Sequence, residues 1–454
     1  MFPFRVLLKD APRWLLLFLL VEAPWLYGST RAWTVTLLEC IGALILLLWA
    51  LRCVVERRRP SVQLLLLAAT VFLAVQGCFL IANAQGVYDR AQFHFVARPS
   101  FWPGGPGAID VVDAIPGMFR VSVILGLMCF SCDLSRRPVW RKRMWWTVLL
   151  TGGTLTLFGL IAEVSGQQLI GEDGETKGSP FATYLYHANA AAFINLVIPP
   201  IAGLMFLSFR RGGTTLERAV AIPALLLCLG GAAASASKAG MAITAGLLAV
   251  LGLWEMRRRI RDRGLTVVRA AFFVGVSAIA LALATHAVWS RVGAEVSRVP
   301  GIIAEGTGEG RLLAAQVCLR MLPDAGAWGI GAGNFAIAFP HYTGFLGDKL
   351  EGAWEVAHED YLQTAVEWGI VGAAVWSVIL IGGMAAGTWS YFRRAAELSR
   401  GDRTLLFCLV AAVAGVAAHA FVDFPLQIAS IQLYVAVYLG ALWGSAKWRT
   451  NRST

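Results

Sequence analysis

The chain has 454 residues, 57% of them hydrophobic and only 15% charged, against about 25% charged in a typical soluble domain. Single soluble cores stop growing beyond ~250–300 residues, so this composition excludes a soluble enzyme, a disordered chain and a small disulfide-stapled secreted domain. The net charge of +11 would suggest nucleic acid on a soluble protein; on a membrane protein it first reports topology.

The apolar runs predict an all-α, polytopic transmembrane bundle of about 12 spans: 12–28, 33–51, 62–83, 116–131, 144–164, 187–209, 219–236, 239–256, 266–289, 361–389, 404–422 and 427–446. The run at 116–131 is short, so its helix is expected to begin earlier or to insert only partly. Only Ser235-Ala236-Ser237-Lys238 separates the seventh and eighth runs, which are two helices or one broken re-entrant element. Cys129 and Cys132 form a CxxC at the end of an apolar helix and read as small buried hydrophobes.

Alternation of the loops gives orientation. With the N-terminus inside, the inner loops collect 28 of the 39 basic residues and 8 acidic ones, a net +20, which leaves −9 for everything else. Cationic loops resist translocation, so both termini are expected in the cytoplasm.

Three outer segments are long enough to hold a site. Residues 84–115 contain Trp102-Pro103-Gly104-Gly105-Pro106-Gly107 and read as a turn-rich packing cap. Residues 165–186 include Gly171-Glu172-Asp173-Gly174-Glu175, an acidic turn without the ligand spacing of a calcium loop. Residues 290–360 form a loop too long to be structureless in a compact protein. It holds a helical stretch, Arg311 to Leu322, whose Arg311, Gln316 and Arg320 are expected roughly on one face above an apolar face at the membrane interface. His358 closes this loop, and Asp360 is the expected N-cap of the next span. A boundary imidazole can serve as a general base. His94, His187, His286, His341 and His419 offer no pair at metal spacing, so no metal is expected. Lys238, at the outer end of the seventh run, is a charge at membrane depth and therefore a site candidate. Asp423 lies at the outer mouth between the last two runs, where it could hold an arginine or cap the last helix.

Four segments carry a family resemblance: GRLLAAQVCLRMLPDAGAWGIGAGNF (Gly310 to Phe335), HEDYLQTAVEWGIVG (His358 to Gly372), HAFVDFPLQIASIQL (His419 to Leu433) and, most weakly, SASKAGMA (Ser235 to Ala242). YHANAAAFINLVIPP (Tyr186 to Pro200) is similar to the family's asparagine-containing span. In order and spacing these resemble the bacterial O-antigen ligase and O-antigen polymerase superfamily. The resemblance divides the chain into N-terminal helices, 1–185, and a ligase-like region, 186–454, that includes the loop 290–360.

The resemblance implies transfer of a glycan from undecaprenyl diphosphate to an acceptor hydroxyl, on a glycan or on lipid A–core, at the periplasmic face of the inner membrane. The implied reaction is inverting and uses no metal or cofactor; the implied partners are the lipid-linked donor, the acceptor and membrane lipids, with no nucleic acid. His358 matches the family's proposed general base, and Arg311 matches an arginine proposed to contact the diphosphate. Lys238 falls where a second arginine is expected; lysine keeps the charge but loses the planar fork. Glu359 stands where asparagine is common. Arg311, Lys238 and Arg320 are then the candidate diphosphate cations, with Glu359 and Asp423 in support. The alternatives are a polymerase of the same superfamily and, from another class, a lipid-glycan transporter. A transporter often shows internal repeats and charges near mid-membrane; here no repeat is evident and the notable charges lie at the outer boundary.

Overall fold

The computed structural model describes residues 2–166, 180–210, 213–263, 308–349 and 354–448. The helices in chain order are α1 (Phe2–Trp25), α2 (Ala32–Val55), α3 (Leu64–Ala82), α4 (Val111–Leu134), α5 (Pro138–Ser165), α6 (His187–Ser208), α7 (Thr215–Ala234), α8 (Lys238–Arg263), α9 (Gly308–Ala325), α10 (Asp360–Arg393), α11 (Arg400–His419) and α12 (Ala429–Gly444). An antiparallel hairpin, β1 (Gly86–Asp89) with β2 (His94–Ala97), follows α3.

Among the described residues ten helices, α2 to α8 and α10 to α12, are long and apolar enough to cross a membrane. Of the other two expected spans, 12–28 falls largely in α1, which carries Lys9, Asp10, Arg13 and Glu22 and yet buries Leu16, Leu19 and Leu20 in the bundle. The other, 266–289, lies outside the described residues, as do the acidic turn at 171–175 and the loop residues 290–307. The short run at 116–131 begins earlier than its apolar stretch, as one of the two expectations had it: Asp110 caps α4 by accepting the Asp113 N–H at 2.7 Å. The seventh and eighth runs are two separate helices, turned by Ala236 in the left-handed region at φ 55°. Cys129 and Cys132 are buried free thiols.

α12 and α6 lie at the centre. α12 is apolar on all sides and buries every residue but Gln432, as a helix without a polar face must. α4 lies close against it: a Cβ on Gly440 would stand 2.3 Å from the Met128 carbonyl oxygen, the small-residue contact by which membrane helices approach. Polar groups in the centre find backbone partners. Tyr434 Oη donates to the Leu20 carbonyl and Ser430 Oγ to the Gly28 carbonyl, both at 2.6 Å. α3 presents Leu64, Leu65, Val71 and Val75 outward, where lipid would lie.

The bundle has two unlike ends. At the basic end Arg141 pairs with Asp402 at 2.7 Å, Arg58 pairs with Asp133, and Arg394 donates to the Ser445 and Trp448 carbonyls at 2.8 and 2.7 Å. The loops that alternation groups on one side thus meet physically. At the other end lie the hairpin, residues 180–186, α9, residues 354–358 and the α11–α12 connection.

One break in α10 shapes this second end. Gly369 sits at φ 66°, ψ 179°, a conformation essentially confined to glycine. The loop after α9 plugs the break: Ile330 and Gly331 N–H donate to the Val366 and Glu367 carbonyls at 3.1 and 3.0 Å, and Ile370 and Val371 N–H donate to Gly326 and Ala327 at 3.3 and 3.1 Å. Backbone meets backbone so closely that a Cβ on Gly329 would stand 2.2 Å from the Glu367 oxygen. Gln76 of α3 clamps both strands of the junction, donating to the Trp328 and Trp368 carbonyls at 3.0 and 2.8 Å. The outer loop 84–115 covers the plug, with Ile109 N–H donating to Ile330 at 3.0 Å, as its packing-cap reading expected.

Candidate active site

The plugged break fixes the first two turns of α10, and with them the residue just before the helix. His358 stands there in the left-handed region at φ 54°, uncommon for a residue with a Cβ. Its side chain is only 4% exposed and is enclosed by ring edges and faces: Phe424 at 4.8 Å, Trp354 at 5.7 Å and Tyr186 at 6.4 Å between centroids. Asp423, in the α11–α12 connection, faces it with Oδ1 3.3 Å from His358 Nδ1. The other oxygen, Oδ2, accepts from Arg311 Nη2 at 3.1 Å. Arg311, in the first turns of α9, also donates from Nη1 to the Val422 carbonyl at 2.6 Å and from Nη2 to Tyr186 Oη at 3.0 Å. Tyr186, at the N-terminus of α6, lies flat on Phe424 at 5.6 Å and 5°.

Three chain segments therefore meet at Asp423, and Tyr186, from a fourth, joins them through Arg311. Burial works against its charge, but the hydrogen bond from His358 and the guanidinium of Arg311 outweigh it and hold the Asp423 carboxyl below the usual carboxylate range. An ionised carboxylate only accepts, so Nδ1 of a neutral His358 carries the proton and Nε2 the lone pair. The arrangement is that of a base oriented by a carboxylate, itself held by a cation. Among the described residues no three His, Cys, Asp or Glu side chains gather as a metal site needs.

Other expected residues take different places. Glu359, not Asp360, caps α10: its Oε2 accepts the Leu362 N–H at 2.5 Å, and burial raises its carboxyl above the ordinary value while that bond opposes the shift. Asp360 reaches across instead, accepting from Leu426 N–H at 2.8 Å and Gln427 Nε2 at 3.0 Å, so it shapes the connection that carries Asp423. Arg320 lies over the Phe345 ring at 3.3 Å. It does not share a face with Arg311, because nine residues are two and a half helical turns, about 14 Å along the axis and on the opposite side. The spacings of five and four do not add up to one stripe. Lys238 opens α8 rather than closing α7, and is exposed. Two residues on, the Gly240 carbonyl accepts from Asn195 of α6 at 2.9 Å, which holds the start of α8 against α6. The α6 asparagine thus ties helices together.

Residues 223–377 match the family model described as O-Antigen ligase. Over that stretch, about a third of the chain, it resembles the O-antigen ligase superfamily. No curated protein matches it. The matched stretch holds Lys238, Arg311, Arg320, His358 and Glu359, whereas Asp423, Phe424 and Tyr186 lie outside it. Tyr186 and Phe424 were not singled out in the sequence, where an aromatic at a span boundary reads as an interface anchor. The one signal was their place inside two of the resembling segments.

Proposed function

We propose that this membrane protein transfers a glycan from undecaprenyl diphosphate to an acceptor hydroxyl at the periplasmic face of the bacterial inner membrane, with His358 as general base. The observation that carries the reading is the chain His358–Asp423–Arg311, assembled from three segments at the end opposite the basic loops. Cationic loops stay in the cytoplasm, so that end faces the periplasm.

On this reading the acceptor O–H gives its proton to His358 Nε2 while its oxygen bonds to the anomeric carbon. The bond from that carbon to the diphosphate oxygen breaks, the electron pair leaves with the diphosphate, and the configuration inverts. A positioned base contributes about 10²–10⁴-fold. The leaving group gathers negative charge, which fixed cations stabilise best where water is excluded. Arg311 commits both terminal nitrogens to Asp423, Tyr186 and Val422, so it supplies charge and holds the base's partner. Lys238, across the site on α8, is the second cation. Arg320, on the far side of α9, would meet only a donor's periphery.

The test is incubation of the purified protein with an undecaprenyl-diphosphate oligosaccharide and either lipid A–core or a second lipid-linked glycan. Product on lipid A–core establishes a ligase, and longer lipid-linked chains a polymerase. Donor crossing vesicle membranes without turnover would overturn the reading in favour of a transporter.

A further inference from the structure

α1 and α5 run side by side in the same direction, away from the basic end. Trp14 meets Trp140 edge-on at 5.3 Å near that end, and Trp25 meets Phe158 at 5.5 Å near the other. Arg143 of α5 sits in the corner of the first pair. Its guanidinium carbon lies 4.8 Å from the Trp14 ring centre and 4.5 Å from that of Trp140. Both Arg143 and Trp14 are exposed. Aromatic faces attract the charge, but they offer no oxygen to its five N–H donors. Among the described residues, Arg143 has neither a hydrogen bond nor a carboxylate partner. The neighbouring charges are engaged elsewhere: the buried Arg13 pairs with Asp10 at 2.9 Å, and Lys142 lies 3.8 Å from Glu217.

Arg143 is the last cation before the apolar run 144–164, and Trp14 holds the same level on α1. From that level both helices turn apolar residues outward. Seven residues are about two helical turns, so Phe18 and Val21 continue the face of Trp14, and Leu150 and Leu157 that of Arg143. All four are exposed. Because Trp14 and Arg143 touch, the two stripes border one groove. Thr147 and Thr154 return their hydroxyls to the Arg143 and Leu150 carbonyls at 3.0 and 2.7 Å, so the walls stay apolar. From Arg143 to Leu157 the groove runs about 21 Å, enough to accompany an acyl chain through half of the ~30 Å hydrocarbon core.

A guanidinium with uncommitted donors, at the head of an apolar groove, complements a phosphate with acyl chains below it. Basic pockets between helices on the cytoplasmic side bind anionic lipid head groups. We propose that the α1–α5 groove holds an anionic phospholipid, its phosphate on Arg143 and an acyl chain between Phe18 and Leu150.

The test uses the full chain, stripped of native lipid and titrated with phosphatidylglycerol or phosphatidylethanolamine of the same acyl chains, with bound lipid counted by native mass spectrometry. Phosphatidylglycerol should bind the more tightly. Arg143→Gln, at an exposed position, should weaken it roughly tenfold, the effect of one charge-assisted contact. Arg59→Gln, also exposed and on the α2–α3 connection, should leave it unchanged. Phosphatidylglycerol with a photoreactive acyl chain should label the peptides that carry Phe18 and Leu150. Equal binding of the two lipids would overturn the proposal, as would indifference to Arg143→Gln. An equal loss in both variants would also overturn it, since the attraction would then belong to the whole basic end. So would label spread evenly over the outward faces of the bundle.

Discussion

With His358 on one carboxylate oxygen and Arg311 on the other, Asp423 sets both the orientation of the imidazole and the local charge. His358→Ala should lower glycan transfer by about 10²–10⁴-fold while the amount of protein inserted in the membrane stays the same; transfer at the original rate would remove His358 from the role of base. Asp423→Asn keeps the volume and loses the charge and the tautomer control, so transfer should fall by up to about 10⁴-fold. The same change should cost roughly 2 kcal/mol of stability at neutral pH, the scale of a hydrogen bond to a charged group. Because the Asp423 carboxyl is held below its ordinary value, its contribution is fully present above the unfolded value of about 3.9 and is lost only as pH falls through the lowered folded one. Melting curves of the parent and Asp423→Asn should therefore converge as pH falls below about 4. At this scale the sequence was legible where a polar residue interrupts or bounds an apolar run, as His358, Arg311 and Asp423 do. Which of two adjacent carboxylates caps a helix was not legible, because Asp360 is diverted by Leu426, a contact 66 residues away.

The crossing of the post-α9 loop with the broken α10 explains a motif that reads only as a pattern in the sequence. Gly326, Gly329, Gly331 and Gly333 all have positive φ, and Gly329 and Gly369 each come within 2.5 Å of the opposing backbone nitrogens and carbons when given a Cβ. The resembling segment GAWGIGAGN is thus architecture: it holds the turns that carry His358. Gly369→Ala should cost more than about 3 kcal/mol through its forbidden dihedrals and the close approach, and should depress transfer without touching the substrate. Gly246→Ala, in open space on α8, should instead be neutral or gain about 0.5–1 kcal/mol from helix propensity. Comparable melting losses in both variants would show that the crossing is not tight. Helix existence was legible from apolar length, whereas the break in α10 was not. One glycine in an apolar span predicts little until its partner loop, some forty residues earlier, is known.

The separation of charge between the two ends is the property of the whole molecule that composition captured best, because insertion acts on loop charge summed over many residues. It predicts that, with the exposed Cys40 and Cys78 replaced, Phe93→Cys on the hairpin reacts with an impermeant thiol reagent in intact spheroplasts. Arg400→Cys should react only after lysis. Phe93 is 75% exposed and Arg400 exposed, so the reverse pattern would invert the molecule and with it the proposed periplasmic site. What composition could not give is which helix lies inside, since nearly every span is apolar and the contacts that sort them are long-range. Tyr434 reaches Leu20 across 414 residues and Ser430 reaches Gly28 across 402.

That central helix has a consequence in time. α12 is the innermost element and also the last of the described spans to leave the ribosome. The helices before it must assemble around an unfilled slot, with the Leu20 and Gly28 carbonyls awaiting their hydroxyl donors, and Asp423 is tethered only once the final segment threads between α4 and α6. A chain cut before α12 would leave those carbonyls without their donors in a bundle with an open seam.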